Sequence, residues 1–158
     1  MNDLTDADAG IYAFESTYLE RFVQVGIASG RVMSVSFPDQ PDENAVVDDH
    51  PVLDRFAEYL EGLSEVDFAD LEVALTVPTD QRSVLEQVRG IPYGENVDVA
   101  TVARMAGLDP DDEDDTILVR TALDENPIPI IFPDHRVRDG PSAAPPSVEQ
   151  KLRSLEEL

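Results

Sequence analysis

The segment Asn126-Pro127-Ile128-Pro129-Ile130-Ile131-Phe132-Pro133-Asp134-His135-Arg136-Val137 places an apolar run and three prolines directly before a polar Asp-His-Arg group. Pro127 has no backbone N–H, so it ends the helix that precedes it. Residues 128–132 are mostly β-branched or aromatic, which predicts a core strand or the wing of a small domain. The polar group therefore follows directly on the predicted core.

Two short helices are predicted before this segment. Asp98 is a good N-cap for a helix over residues 99–106, and Gly107 stops that helix. An acidic insertion at residues 109–115 leads to the second helix, over residues 116–125. Two short helices joined by a turn are the pattern of a helix-turn-helix. Around this pair we expect a helix over residues 80–89 and a final helix from Ser147, after a proline-rich stretch at residues 140–146.

The first half of the chain has the alternating pattern of strands. The predicted strands are residues 11–14, 19–28, 31–37, 66–68 and 71–77. Ser29-Gly30 is a predicted hairpin turn, residues 37–49 are a predicted acidic loop, and residues 51–63 are a predicted amphipathic helix. The fold class is therefore α+β, with an antiparallel sheet and one helix in residues 1–77 and a helical domain in residues 78–158.

The composition is strongly acidic, with 34 acidic against 11 basic residues and a net charge of −23. Molar salt shortens the Debye length to about 3 Å and makes such self-repulsion tolerable, so we infer a halophilic cytoplasm. A mimic of nucleic acid would concentrate acid on one face, whereas here acid is spread along the chain. The acidic start, Met1 to Asp6, does not look like a secretion signal, and no apolar run is long enough to predict a membrane span.

The segment 126–137 resembles the Asn-Pro-x-Pro-x-x-x-Pro-Cys-His-Arg-Val motif of the alkylguanine-DNA alkyltransferases, or methylated-DNA-protein-cysteine methyltransferases. Residues 77–79, 89–95 and 102–107 are also similar to the C-terminal domain of that family. The resemblance implies a ribonuclease H-like N-terminal domain over 1–77 and a winged-helix C-terminal domain over 78–158. The active-site segment then lies between the recognition helix and the wing.

One exchange alters the chemistry that the resemblance implies. The family accepts an alkyl group from the 6-oxygen of guanine on a cysteine thiolate, and that position is Asp134 in a chain without cysteine. A carboxylate is a much weaker nucleophile toward an alkyl carbon than a thiolate is. We therefore expect no enzyme and no cofactor, and a degenerate site of Asp134, His135 and Asn126. The glutamate that completes the family's Cys-His-Glu relay is expected at or beyond Glu157.

The resemblance also implies positions for DNA contact. A tyrosine that rotates the phosphate of the target nucleotide falls on Val99, and the intercalating arginine falls on Ile117. Arg104, Arg120 and Arg136 are the candidate basic contacts. The alkyl pocket is expected to include Tyr93, Pro133, Asp134 and Val137, under a lid shortened to residues 139–146.

The leading hypothesis is a catalytically inactive, monomeric alkyltransferase-like protein that binds double-stranded DNA at high salt and senses alkylated guanine for a repair-protein partner. The alternative is a protein-interaction or regulatory module on the same scaffold that no longer binds DNA. A third hypothesis, an enzyme using Asp134 and His135, lacks a visible third orienting group. Plain structural roles are also open, with His135 bonded to backbone and Asp134 as an N-cap or turn residue. A further alternative is that Asp134 recognises an exocyclic amine on a base. Residues 109–115 lack the glycine and terminal glutamate of a calcium loop, so we expect a solvated insertion and no metal.

Overall fold

The computed structural model describes residues 9–158. The acidic start of the sequence, Met1 to Asp6, lies outside these residues, and so does the prediction that it is not a secretion signal. The chain divides between Leu75 and Thr76 into two compact units. Residues 9–158 contain a four-stranded sheet and five α-helices, which is an α+β fold. The more detailed assignments, ribonuclease H-like and winged-helix, stay predictions.

The sheet of the first unit has the strand order β3-β2-β1-β4. Its strands are β1 (Gly10–Ser16), β2 (Arg21–Ala28), β3 (Arg31–Ser36) and β4 (Val46–Val47). β2 pairs antiparallel with β1 and β3, whereas β4 pairs parallel with β1. The sheet is therefore mixed, and the predicted purely antiparallel sheet was wrong in this respect. The two exposed residues of β4 lie inside the predicted acidic loop, where no alternating pattern marks them.

The hairpin between β2 and β3 confirms the predicted tight turn. Ser29 and Gly30 both have left-handed backbone angles, with φ of 52° and 71°. Two consecutive residues with positive φ form the turn whose twist matches that of the flanking strands.

The helix α1 (Pro51–Glu61) is bounded by two specific contacts. At its start, Nδ1 of His50 accepts a hydrogen bond from the Val52 N–H at 3.0 Å. At its end, Gly62 takes the left-handed conformation with φ of 71°. The predicted final residue, Leu63, therefore lies beyond the helix and is 86% exposed.

The strands predicted after α1 are absent as strands, and that prediction was wrong. Within residues 66–77 the structure has a single bridge, between Val73 and Val32 of β3. The Arg55 guanidinium binds the Asp67 carbonyl and the Asp70 carboxylate, both at 2.7 Å. These contacts hold residues 67–70 in a turn, and the following residues Glu72 and Ala74 pair with Val32 through two backbone hydrogen bonds.

The second unit is helical. Its helices are α2 (Thr79–Arg89), α3 (Val99–Met105), α4 (Glu113–Asp124) and α5 (Pro146–Leu155), with a short 3₁₀ turn at Asp134–Arg136. α2, α3 and α4 pack on one another through buried aliphatic side chains. All four predicted helices are present, and Asp98 caps α3 as expected by accepting the Thr101 N–H at 2.8 Å.

α4 starts three residues earlier than predicted because the end of the acidic insertion joins it. Oδ1 of Asp112 accepts the N–H groups of Asp114 at 2.8 Å and Asp115 at 3.3 Å. Carboxylates are favoured in a first turn, where the backbone N–H groups are unpaired and the helix dipole is positive. The acidic residues therefore stabilise the helix start.

Residues 128–132 form buried irregular backbone, so the predicted core strand was wrong. Ile128, Ile130 and Phe132 are at most 2% exposed, but the Phe132 N–H donates to the Ile128 carbonyl at 3.0 Å and closes a turn. Proline cannot donate to a strand ladder, and three prolines lie in residues 127–133. The apolar composition correctly indicated burial, and the prolines prevented the strand.

Every helix among residues 9–158 is too short or too polar to cross a membrane.

Candidate functional site

Asn126, directly after α4, organises the segment that follows it. Its side chain is buried, and Nδ2 donates to the Phe132 carbonyl and to Oδ2 of Asp134, each at 2.9 Å. Oδ1 accepts the Ile128 N–H at 3.0 Å. Asn126 thus closes the turn over residues 128–132 and orients the carboxylate of Asp134.

Asp134 begins the 3₁₀ turn and is completely buried. Besides Asn126, two neighbouring donors reach it: the Ser142 hydroxyl donates to Oδ1 at 2.5 Å, and the Ala143 N–H donates to Oδ2 at 3.0 Å. Burial raises the pKa of the Asp134 carboxyl, while the hydrogen bonds from Ser142, Ala143 and Asn126 oppose that shift. Both carboxylate oxygens are therefore engaged by the chain itself.

His135 lies against Glu156, in the residues just after α5. Nε2 of His135 is 2.6 Å from Oε2 of Glu156, and both side chains are fully buried. The glutamate of the Cys-His-Glu relay was expected at or beyond Glu157, whereas the glutamate that contacts His135 is Glu156. That prediction was therefore wrong. Glu156 is buried at that position because it follows Val148 and Leu152 at helical spacing on the inner face of α5.

Glu156 accepts three further hydrogen bonds. Oε1 accepts Nε of Arg136 at 2.8 Å and the Gly94 N–H at 3.0 Å, and Oε2 accepts Nη2 of Arg136 at 3.1 Å. Burial alone would raise the pKa of Glu156, but the hydrogen bonds from His135 and Arg136 outweigh it and lower that pKa to about 2. Glu156 is thus an ionised anchor for two consecutive residues of the motif.

Arg153 is a second anchor on α5. Its guanidinium donates to the carbonyls of His135 and Val137, each at 3.1 Å, and to that of Arg138 at 3.3 Å. Arg153 thus binds the backbone of residues 135–138, while Glu156, three residues later, binds the side chains of His135 and Arg136. Arg153 was not predicted as a site residue, because a charged residue on an amphipathic helix usually lies in solvent.

Two of the predicted DNA contacts, Arg136 and Val99, are buried. Arg136 is 8% exposed, and its guanidinium binds Glu156 and the Ile91 carbonyl, the latter at 2.7 Å. Val99 is 2% exposed, and its N–H donates to Oδ1 of Asp139 at 2.7 Å. Their contact with DNA stays a prediction, and neither side chain is exposed.

The other three predicted contacts lie on the surface of the helix pair. Arg104 is exposed on α3, and Ile117 on α4 is 51% exposed. Arg120, also on α4, is exposed while one of its Nη groups donates to the Asp139 carbonyl at 3.0 Å. These three residues remain candidates for contact with a partner.

The residues predicted to line the alkyl pocket are mostly interior. Pro133, Asp134 and Val137 are buried. Tyr93 is half-buried, with the Arg136 guanidinium 5.7 Å from the centre of its ring. The residue pair that faces the Asp134 carboxylate is Ser142-Ala143, which belongs to the segment predicted as a shortened lid. No local pattern predicts this pairing, because a serine in a proline-rich loop is ordinarily a turn residue.

The described residues thus combine an α+β fold, a packed helix pair and a buried Asn-Asp-His-Arg group that is anchored by Glu156. Residues 79–156 match the family model described as 6-O-methylguanine DNA methyltransferase, DNA binding domain. The chain belongs to this family, and its sequence has no cysteine.

Two relatives named methylated-DNA-protein-cysteine methyltransferase are similar to the chain. That of Methanopyrus kandleri is 39% identical over 93 residues, which cover 58% of this chain and 66% of the relative. That of Metallosphaera sedula is 27% identical over 147 residues, which cover 89% of each.

Solved structures have the same fold. The O6-methylguanine methyltransferase of Mycobacterium tuberculosis has a TM-score of 0.73 at 22% identity, covering 95% of this chain and 92% of that one. A structure titled as Mycobacterium tuberculosis OGT in complex with DNA has a TM-score of 0.71 at 23% identity, covering 94% and 91%.

Proposed function

We propose that this family member binds double-stranded DNA and transfers no alkyl group. The absence of alkyl transfer is inferred from Asp134, which stands at the motif position of the acceptor cysteine. Its two oxygens accept three hydrogen bonds, and it is fully buried. Hydrogen bonds to a carboxylate stabilise its charge and reduce its already low reactivity toward an alkyl carbon.

The location of the basic residues supports DNA binding by the second unit. Residues 76–158 hold 8 of the 11 basic residues, with 17 acidic residues, whereas the rest of the chain has 3 basic and 17 acidic. The match to a DNA-binding domain and the DNA-bound relative support the same assignment. Arg104, Arg120 and Ile117 are the surface residues that we assign to the contact.

The salt response should differ from that of an ordinary DNA-binding protein. Phosphate contacts through Lys and Arg normally weaken as salt rises. Here the acid of the second unit repels phosphate at low salt, and molar salt screens that repulsion within about 3 Å. The affinity for DNA is therefore expected to hold or rise with salt.

The affinity for DNA is measured by fluorescence anisotropy with a labelled duplex, across roughly 0.5 to 3 M KCl. We expect binding that does not weaken over the range, and about three-fold weaker binding for Arg104→Gln, because one phosphate contact is lost. Arg82→Gln, an exposed arginine of α2, is the control and should bind like the wild type. A duplex carrying O6-alkylguanine in the same series tests the sensing of that lesion, which remains a hypothesis.

Intact mass spectrometry tests the absence of transfer. After incubation with DNA carrying O6-methylguanine, the protein mass is expected to be unchanged, because the nearest equivalent of the acceptor is a hydrogen-bonded carboxylate. A methyl adduct that maps to Asp134 would contradict the proposal.

The second candidate function is a protein-interaction module. It is favoured by the acidic residues at the start of α4, Asp112 to Asp115, in the same helix as the exposed Ile117. Such a surface repels phosphate and suits a basic, partly apolar protein partner. No duplex binding at any salt concentration would favour this function over the first.

A further inference from the structure

Ser142 and Ala143 bind Asp134 in the way that a ligand with two adjacent donors would. One donor reaches each oxygen: the Ser142 hydroxyl reaches Oδ1 at 2.5 Å and the Ala143 N–H reaches Oδ2 at 3.0 Å. A carboxylate that receives two parallel donors on its two oxygens makes the strong, geometrically specific bidentate contact known from guanidinium pairs.

The two donors belong to a loop at the surface of the second unit. Ser142 and Ala143 are half-buried, while the carboxylate beneath them has no exposed area. Asn126 holds Oδ2 from within the unit at 2.9 Å, and it is itself fixed by the Phe132 carbonyl and the Ile128 N–H. The acceptor is thus rigidly placed, and its covering donors lie on the solvent side.

We propose that Ser142-Ala143 is an internal substitute for a nucleobase, and that Asp134 binds the paired donors of unmodified guanine when this segment moves aside. The proposal rests on the proposed function in one respect, since DNA would deliver the base. Guanine presents N1–H and the N2 amino group side by side, and a carboxylate accepts both. Adenine and cytosine place a donor beside an acceptor on the corresponding edge, so they match a carboxylate with only one bond.

Alkylation at the 6-oxygen removes the match. The ring nitrogen N1 of O6-methylguanine carries no hydrogen and is an acceptor, which faces the carboxylate with like partial charge. Asp134 would therefore discriminate against the alkylated base, and this proposal opposes the hypothesis that the chain senses alkylated guanine. A site built for a particular hydrogen-bonding group rejects analogues that leave its buried polar atoms unpaired.

The proposal is tested without DNA by titrating nucleosides into the full chain in molar KCl. NMR of the Ala143 amide follows their binding. Guanosine is expected to shift this amide and to bind about ten-fold or more tightly than O6-methylguanosine. Inosine, which keeps N1–H and lacks the N2 amino group, should fall between them. Ser142→Ala removes one internal donor and should tighten guanosine binding by about ten-fold.

The variant Asp134→Asn tests whether residue 134 sets the preference between the two nucleosides. An amide presents one acceptor and one donor, which match the N2 amino group and the N1 acceptor of O6-methylguanosine, so the preference is expected to reverse. Equal binding of the two nucleosides by the wild type overturns the proposal. So does failure of guanosine to bind both the wild type and Ser142→Ala, a result that stands even if Asp134→Asn does not fold. Duplex binding is measured by anisotropy and nucleoside binding by NMR. The proposed DNA binding and the proposed guanine binding can therefore be refuted independently of each other.

Discussion

Glu156→Gln is expected to destabilise the chain by about 3–5 kcal/mol at neutral pH, the usual cost of breaking a buried ion pair by removing one partner. The amide removes the negative charge that His135 and Arg136 share, while Arg136 stays buried. The substitution preserves the shape of the side chain, so a loss of stability of this size would show that the charge of Glu156 stabilises the fold. Urea unfolding at fixed molar KCl measures it.

The same carboxylate predicts an acid-dependent stability. The pKa of Glu156 is about 2 in the folded chain against an ordinary 4.5. Because the folded-state pKa is depressed, its contribution is fully present above pH 4.5 and is lost as the pH falls toward 2. This contribution is on the order of 3 kcal/mol. The deficit of Glu156→Gln should therefore shrink below pH 4.5, since the wild type loses what the variant already lacks.

Glu157→Gln is the matched control, because Glu157 is the neighbouring residue and is exposed. Its effect on the free energy of unfolding is expected within about 0.5 kcal/mol. Similar losses for the two variants would mean that the network around Glu156 does not stabilise the fold.

Asn126→Asp is expected to cost about 3–5 kcal/mol, because it sets a second carboxylate against one that is already buried. Nδ2 of Asn126 lies 2.9 Å from Oδ2 of Asp134 and 2.9 Å from the Phe132 carbonyl, so an oxygen there faces two acceptors. One carboxyl must take up a proton to relieve the repulsion, which raises the pKa of the pair. The loss should therefore be greatest at neutral pH and smaller as the pH is lowered.

Asn96→Asp makes the same chemical change at an exposed position beside Arg138. Its effect is expected within about 0.5 kcal/mol of the wild type. Unfolding of both variants between about pH 5 and 8 gives the comparison. An Asn126→Asp deficit that stays constant over this range would show that the loss comes from packing and not from charge.

The helices were predictable because their signals are local. Asp98, His50-Pro51 and the glycines at residues 62 and 107 set helix ends through contacts within a few residues. The three long strands were predictable for the same reason, since alternation and a two-residue turn define a hairpin. The start of α4 was misplaced because an acidic run looks like a loop until Asp112 is recognised as its cap.

The site was only partly predictable because its contacts are distant in sequence. Asp134, His135 and Asn126 were found as a motif, but the partners that fix them, Glu156 and Ser142, lie 8 to 21 residues further on. The helical spacing of Val148, Leu152 and Glu156 is the one local signal that could have distinguished Glu156 from the exposed Glu157. The strand predicted at residues 66–68 failed because Arg55 binds Asp67 and Asp70 and holds the backbone there in a turn. The strand predicted at residues 128–132 failed because prolines interrupt it.

The carboxylate at position 134 also alters the sensitivity of the site to oxidants. A thiolate is converted by peroxide to sulfenic and higher acids, and its activity then depends on cellular reductants. A carboxyl group is inert to this chemistry, and the sequence has no cysteine elsewhere. The hydrogen bonds around Asp134 should therefore survive oxidative conditions that would inactivate a sulfur-based site.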